Sequence, residues 1–228
     1  MSLKSHPSGA VGALDREEHA AQFRRHCHQL IAFGYGAIRG ESHRESEEDF
    51  ITQRIKQAIR TGQLDEGLPR WAKRYFVQDQ PPVDVPGVVG KDRPKIDIHF
   101  ESNESRRPVY HFEAKRLRTA DTHSVSKYVG KGGLGMFLAE LYGRMGNEGG
   151  MLGYIQSESP THWAERIGTK LHADAPGNHQ LTADGAWTGF PLITEFEHTY
   201  ATRHTRTNLG NITIYHTLLD FCGDTATG

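Results

Sequence analysis

Pro94-Lys95-Ile96-Asp97-Ile98-His99-Phe100 and Val109-Tyr110-His111-Phe112-Glu113-Ala114-Lys115-Arg116-Leu117 are the two runs that decide the fold. Lys95 to Phe100 and Val109 to Leu117 predict two strands, rich in β-branched and aromatic residues. Glu101 to Arg107 (ESNESRR) is the polar turn between them, so the pair predicts a β-hairpin. Side chains alternate along a strand, which puts Glu113 and Lys115 on one face, about 7 Å apart, with His111 beside them. Tyr110, Phe112 and Ala114 point into the opposite, apolar layer. The hairpin returns Asp97 to the side of Glu113. Two carboxylates and one ammonium therefore converge on one surface.

Carboxylates that close repel one another unless a cation lies between them. Hard oxygen ligands with room for water and a phosphate suit Mg²⁺, with Mn²⁺ as a substitute. Such a cation acidifies water and neutralises charge developing on a phosphoryl group. Lys115 can orient or deprotonate that water, or stabilise the pentavalent transition state.

Working outward, residues 1–13 are rich in Gly, Ser and Ala and read as a flexible N-terminus. A helical pattern runs from Asp15 to about Phe33, where Gly34, Gly36 and Gly40 are expected to break it. Ser46 is expected to cap a second helix over 46–61, with Asp49 as a capping-box partner and Gly62 as its stop. Phe50, Ile51, Ile55, Ala58 and Ile59 form its apolar stripe. Trp71 to Val77 suggests a short apolar element. Pro81, Pro82, Pro86 and Pro94 predict an irregular connection over 80–94. Beyond the hairpin, a helix is expected over 134–145, a strand over 151–155, a helix over 160–171 and a last strand over 212–221. One domain over 14–228 accounts for all of these.

The Asp97 and Glu113-x-Lys115 spacing, in this order of elements, resembles the PD-(D/E)xK nuclease superfamily. The resemblance covers roughly residues 45–156. It implies a restriction-endonuclease-like α/β (α+β) core: a mixed central sheet of about four strands flanked by helices, here with an N-terminal helical extension and a C-terminal helix and strand. It implies catalytic Asp97, Glu113, Lys115 and Glu48, the last an acid on the preceding helix with Glu47 as its rival. It implies metal ligation by Asp97, Glu113, Glu48 and the Ala114 carbonyl. The residue before Asp97 is Ile96 rather than Pro, and Pro94 lies three positions upstream, which departs from the commonest form of the motif. The implied activity is Mg²⁺-dependent phosphodiester hydrolysis of nucleic acid by a DNA endonuclease. A bacterial genome-defence or restriction role follows, with repair or recombination next. Targeting would come from a protein partner or another copy of the chain. The alternative is a non-catalytic DNA-binding or assembly subunit that keeps the fold.

Basic residues cluster at Arg54, Lys56 and Arg60, at Arg70, Lys73 and Arg74, and at Lys115, Arg116, Arg118, Lys127 and Lys131. The first two read as solvated faces. Arg116, Arg118, Lys127, Tyr128 and Lys131 adjoin the metal site and are the expected nucleic-acid contacts. Tyr142 is a further aromatic that could support the site. Gly130-x-Gly132-x-x-Gly135 lacks the leading strand and trailing acid of a dinucleotide fold and reads as flexible glycines before a helix, with amides that could face a phosphate. Arg203-His204-Thr205-Arg206 reads as a polar loop, or as a contact for phosphate or a partner. His26-Cys27-His28 has no second ligand pair at zinc spacing, so one core Cys and two exposed His are expected.

The composition excludes more than it selects. The 228 residues carry 27 Lys+Arg against 28 Asp+Glu, so a polyanion partner must rest on local patches. Two cysteines cannot make a disulfide framework. No apolar run reaches the ~20 residues of a membrane span, and no signal peptide is recognisable. A cytoplasmic protein with no membrane partner is expected. GxSxG and HExxH are absent.

Overall fold

The computed structural model describes residues 13–41, 43–79, 81–82, 93–104, 107–121, 124–144, 146–174 and 176–223. The expectations for segment 1–13 and for the connection over 80–94 fall largely outside them. The expected hairpin is present, as β2 (Ile98–Ser102) and β3 (Val109–Leu117), antiparallel with Ile98 opposite Phe112. The apolar element near Trp71 is a 3₁₀ turn (Arg70–Arg74) leading into β1 (Tyr75–Asp79), which pairs antiparallel with β2. β4 (Glu148–Ile155) lies parallel to β3 and to β7 (Gly210–Asp220). β6 (Thr199–Arg206) and the two-residue β5 (Thr188–Gly189) continue antiparallel to the far edge. Among the described residues this is one seven-stranded mixed sheet, ordered β1-β2-β3-β4-β7-β6-β5.

Helices cover both faces. α1 (Ala13–Ile38) and α2 (Glu48–Leu64) press Leu30, Ile31, Ile51, Ile55 and Ile59 onto Ile98, Phe100, Phe112, Ala114 and Tyr154. On the other face α3 (Ser124–Val129), α4 (Gly135–Leu138) and α5 (Pro160–Ala173) bury Tyr128, Phe137, Trp163 and Ile167 against Met151, Ile155, Ile214 and Leu218. Met151 and Leu152 thus go to opposite layers, as period-two alternation requires. A parallel β3–β4 pair needs a crossover connection, and α3 and α4 lie on it.

β4 is glycine-rich because large rings lie across it. A Cβ on Gly150 would sit 2.3 Å from Cδ1 of Phe112, and one on Gly149 2.4 Å from Cε1 of Phe137. Gly150→Ala should lower stability by about 1–3 kcal/mol through overpacking. A urea midpoint that falls with unchanged slope would show it. An unchanged midpoint would mean that the Phe112 ring yields freely.

Several expectations are corrected. α1 runs through Gly34 and Gly36 to Ile38. At Gly34 a Cβ would lie 2.7 Å from the Ile55 carbonyl oxygen, so this glycine permits close helix packing and breaks nothing. α2 starts at Glu48, and its Glu47 N-cap makes no side-chain capping bond. Ser46 instead meets His43, and the helix continues past Gly62 to Leu64. The helix expected over 134–145 shrinks to α4, because Glu140 and Gly143 adopt positive φ of 60° and 65°. Among the described residues the sheet has seven strands rather than about four. Arg203 to Arg206 is strand, not loop, with His204 and Arg206 buried. His28 is fully buried beside Cys27.

β6 and β7 carry a buried polar chain. The His179 carbonyl accepts from His204 Nδ1 at 2.6 Å, which fixes the tautomer and makes His204 Nε2 an acceptor. Thr202 then donates to it at 2.7 Å, and accepts from His216 Nε2 at 2.8 Å. His216 Nδ1 is left to accept from the Tyr128 hydroxyl at 3.1 Å. Both rings are neutral in this arrangement. No helix among the described residues is long and apolar enough to cross a membrane.

Candidate active site

Asp97 precedes β2 and, by the ladder register, lies beside Glu113 of β3. Its Oδ2 accepts from the Ala114 amide at 2.8 Å. Glu113 is only 5% exposed, and its Oε1 accepts from Lys115 Nζ at 2.7 Å. Lys115 Nζ also donates to the Ala114 carbonyl at 2.6 Å and to Glu48 Oε1 at 2.9 Å. The other Glu48 oxygen accepts from the Arg116 amide at 3.0 Å. Glu48, in the first turn of α2, thus reaches over the end of β3. Glu47 turns to the Arg116 guanidinium at 3.0 Å, with its side chain 74% exposed. Of the two rival acids, Glu48 is the one at this cluster.

The electrostatics follow from burial. Burial pushes Glu113 up to about 8, and the Asp97 charge adds to the rise against the opposing pull of Lys115. Burial also raises Asp97, opposed by Lys115 and by the Ala114 amide. Burial alone would lower Lys115, but Glu113, Glu48 and Asp97 outweigh it and hold the ammonium charged. Burial, with Glu113 and Asp97 adding, lifts the Tyr142 hydroxyl above its ordinary range, and that hydroxyl donates to the Lys95 carbonyl.

Among the described residues, no three His, Cys, Asp or Glu side chains are arranged to hold a metal ion by themselves. What converges is a mixed set: Glu113 Oε1, Glu48 Oε1 and the Ala114 carbonyl, with an ammonium at their focus. Glu113 Oε2 is buried and has no hydrogen-bond partner. An orphaned carboxylate oxygen beside three convergent hard oxygens is a donor set that suits Mg²⁺ or Mn²⁺.

A cleft of about 670 Å³ opens beside the cluster, lined by Glu48, Lys115, Arg116, Ser126, Lys127 and Lys131 among others. Lys127 and Lys131 are exposed on its wall. Arg118 is engaged by Glu45 and Asp121, and it does not line the cleft. Tyr128 is fully buried under His216, so its side chain cannot meet a nucleic acid, contrary to expectation. The Gly130–Gly135 turn does not cradle a phosphate with its Gly133, Leu134 and Gly135 amides. These bond to the Gly130 and Tyr128 carbonyls.

Two residues escaped the sequence reading. Lys56, read as part of a solvated face, is 1% exposed and donates to the Asp97 carbonyl at 3.1 Å. Its place one turn before Ile59 of the apolar stripe was the available signal. Gln156 follows the apolar strand β4, is buried, and donates to the His43 and Ser46 carbonyls at 2.6 and 2.8 Å. It ties the entry to α2, and so Glu48, to the end of β4. No family model matches the chain, and neither does any curated protein or solved structure.

Proposed function

We propose that this chain is a metal-dependent phosphodiesterase acting on DNA, an endonuclease of the PD-(D/E)xK type with a restriction-endonuclease-like core. The observation that carries the reading is the convergence of Glu113, Glu48, the Ala114 carbonyl and Lys115 next to Asp97, at the mouth of a cleft walled by lysines. Asp97, Glu113, Glu48 and the Ala114 carbonyl would hold Mg²⁺, with Mn²⁺ as a substitute. Bound there, the ion supplies positive charge against the phosphoryl group and acidifies water. Lys127, Lys131 and Arg116 bind the phosphates of the strand in the cleft. Lys115 steadies the attacking water and the charge that builds on the phosphorus-bound oxygens. Lys56 fixes the main chain at Asp97, and the Ala114 amide orients its carboxylate. A partner protein or a second copy supplies targeting, in a genome-defence setting.

The test is cleavage of circular and linear DNA, with RNA in parallel, in Mg²⁺, in Ca²⁺ and in chelator. Wild type should cut DNA in Mg²⁺ alone, and Glu113→Ala should not. DNA binding without any cleavage would favour the non-catalytic subunit. Equal cutting by Glu113→Ala would sink the assignment of the site.

A further inference from the structure

The ammonium of Lys115 has three protons, and all three are committed. Its acceptors are the Ala114 carbonyl at 2.6 Å, Glu113 Oε1 at 2.7 Å and Glu48 Oε1 at 2.9 Å. A lysine so engaged has no donor left for water or for a phosphate. The same three oxygens are those a hard divalent ion would use, at about 2.0–2.1 Å for Mg²⁺. An ammonium and a dication cannot share that point, since like charges so close repel strongly.

We propose that Lys115 is the built-in cation of this site, and that divalent metal binds by exchange with its ammonium. Metal-free, the lysine plugs the focus of the oxygens and keeps the cluster together. When the ion enters, the side chain swings into the adjoining cleft of about 670 Å³, which Lys115 itself lines. Only then are its protons free for water and phosphate. The metal therefore does two things: it arms the site, and it releases the lysine. This rests on the proposed metal-dependent reading of the site.

The exchange makes a quantitative demand: removing the ammonium must tighten the site's hold on a cation by at least the factor by which the plug suppresses the open state. If the plug-out state is a tenth or less of the metal-free population, Lys115→Met should lower the dissociation constant for Mn²⁺ about tenfold or more. Calorimetry with Mn²⁺ alone, without nucleic acid, reads this directly. Melting curves give a second readout: Mn²⁺ should raise the melting temperature of Lys115→Met more than that of wild type. Should the variant fold poorly, wild-type crystals soaked in Mn²⁺ serve instead. Anomalous density between Ala114 O, Glu113 Oε1 and Glu48 Oε1, with Lys115 rotated away, supports the exchange. Mn²⁺ bound elsewhere with Lys115 unmoved overturns it. Equal or weaker binding by Lys115→Met also overturns it, while wild-type binding leaves the metal-dependent reading standing. No binding by either protein overturns both. Tighter binding by the variant with no nuclease activity in wild type upholds the exchange and removes the nuclease.

Discussion

Melts taken from pH 7 down to pH 4 should show the stability of this chain falling steeply below pH 6.5. Four histidines are responsible. Burial takes His28 to about 3, and His111 and His204 to about 4, while His216 is held well below its ordinary value. Each is a base whose folded value lies below its unfolded one. The unfolded chain therefore takes up protons first as pH falls. The stability each group contributes is full above about 6.5 and is lost as pH falls toward the folded values. At pH 5 the gap of about 1.5 units costs roughly 2 kcal/mol for each of His28, His111 and His204, with His216 acting in the same direction, against a typical total of 5–15 kcal/mol. The hydrogen-bond geometry gives the same sign. Adding a proton at His204 Nε2 or His216 Nδ1 sets a donor against the Thr202 or Tyr128 hydroxyl. Glu113 acts the other way: its raised value gives stability that is full below about 4.5 and lost as pH rises through about 8. The metal-free optimum should thus lie between these limbs. A melting temperature constant from pH 7 to pH 5 would refute the neutral, buried chain.

Lys115→Met should slow single-turnover cleavage in Mg²⁺ by about 10²–10³, the usual effect of removing one donor that acts mainly on the transition state. DNA binding measured in Ca²⁺ should change little, because several phosphate contacts share the electrostatic attraction. The effect pairs with the tighter Mn²⁺ binding expected of the same variant. A lysine with no place at these oxygens would not be expected to move metal affinity up and rate down together. Lys127→Ala makes the contrast: it should weaken DNA binding and leave the Mn²⁺ dissociation constant unchanged, since Lys127 lies on the cleft wall. Parental rates for Lys115→Met would remove it from the chemistry.

The hairpin and its polar face were legible because strand alternation is a strict rule. Asp97, Glu113 and Lys115 could meet nowhere else once residues 95–117 folded back. Glu48 was readable from its place one turn before Ile51, but its preference over Glu47 depended on how α2 sits over the end of β3. What stayed illegible depended on distant partners. Gly34 looked like a breaker until Ile55 was seen against it. β6 looked like a loop because its buried groups are polar, and the partners that satisfy them come from His179, His216, Gly143 and Gly146. Lys56 looked solvated because its acceptor, the Asp97 carbonyl, lies 41 positions away.

The position of β7 between β4 and β6 governs when this chain can fold. Every residue of the candidate site precedes β4 in sequence, yet β4 is a central strand whose second neighbour is β7. As the chain leaves the ribosome, the hairpin, α2 and β4 emerge first and face water with a long, apolar, unpaired edge. Only the arrival of residues 210–220 closes it. Such late, long-range pairing slows folding and leaves a sticky intermediate. It also means that a nascent chain long enough to contain the whole constellation is still too short to hold it rigid. Chains truncated before β7 would carry every residue of the constellation and still leave the β4 edge open to water.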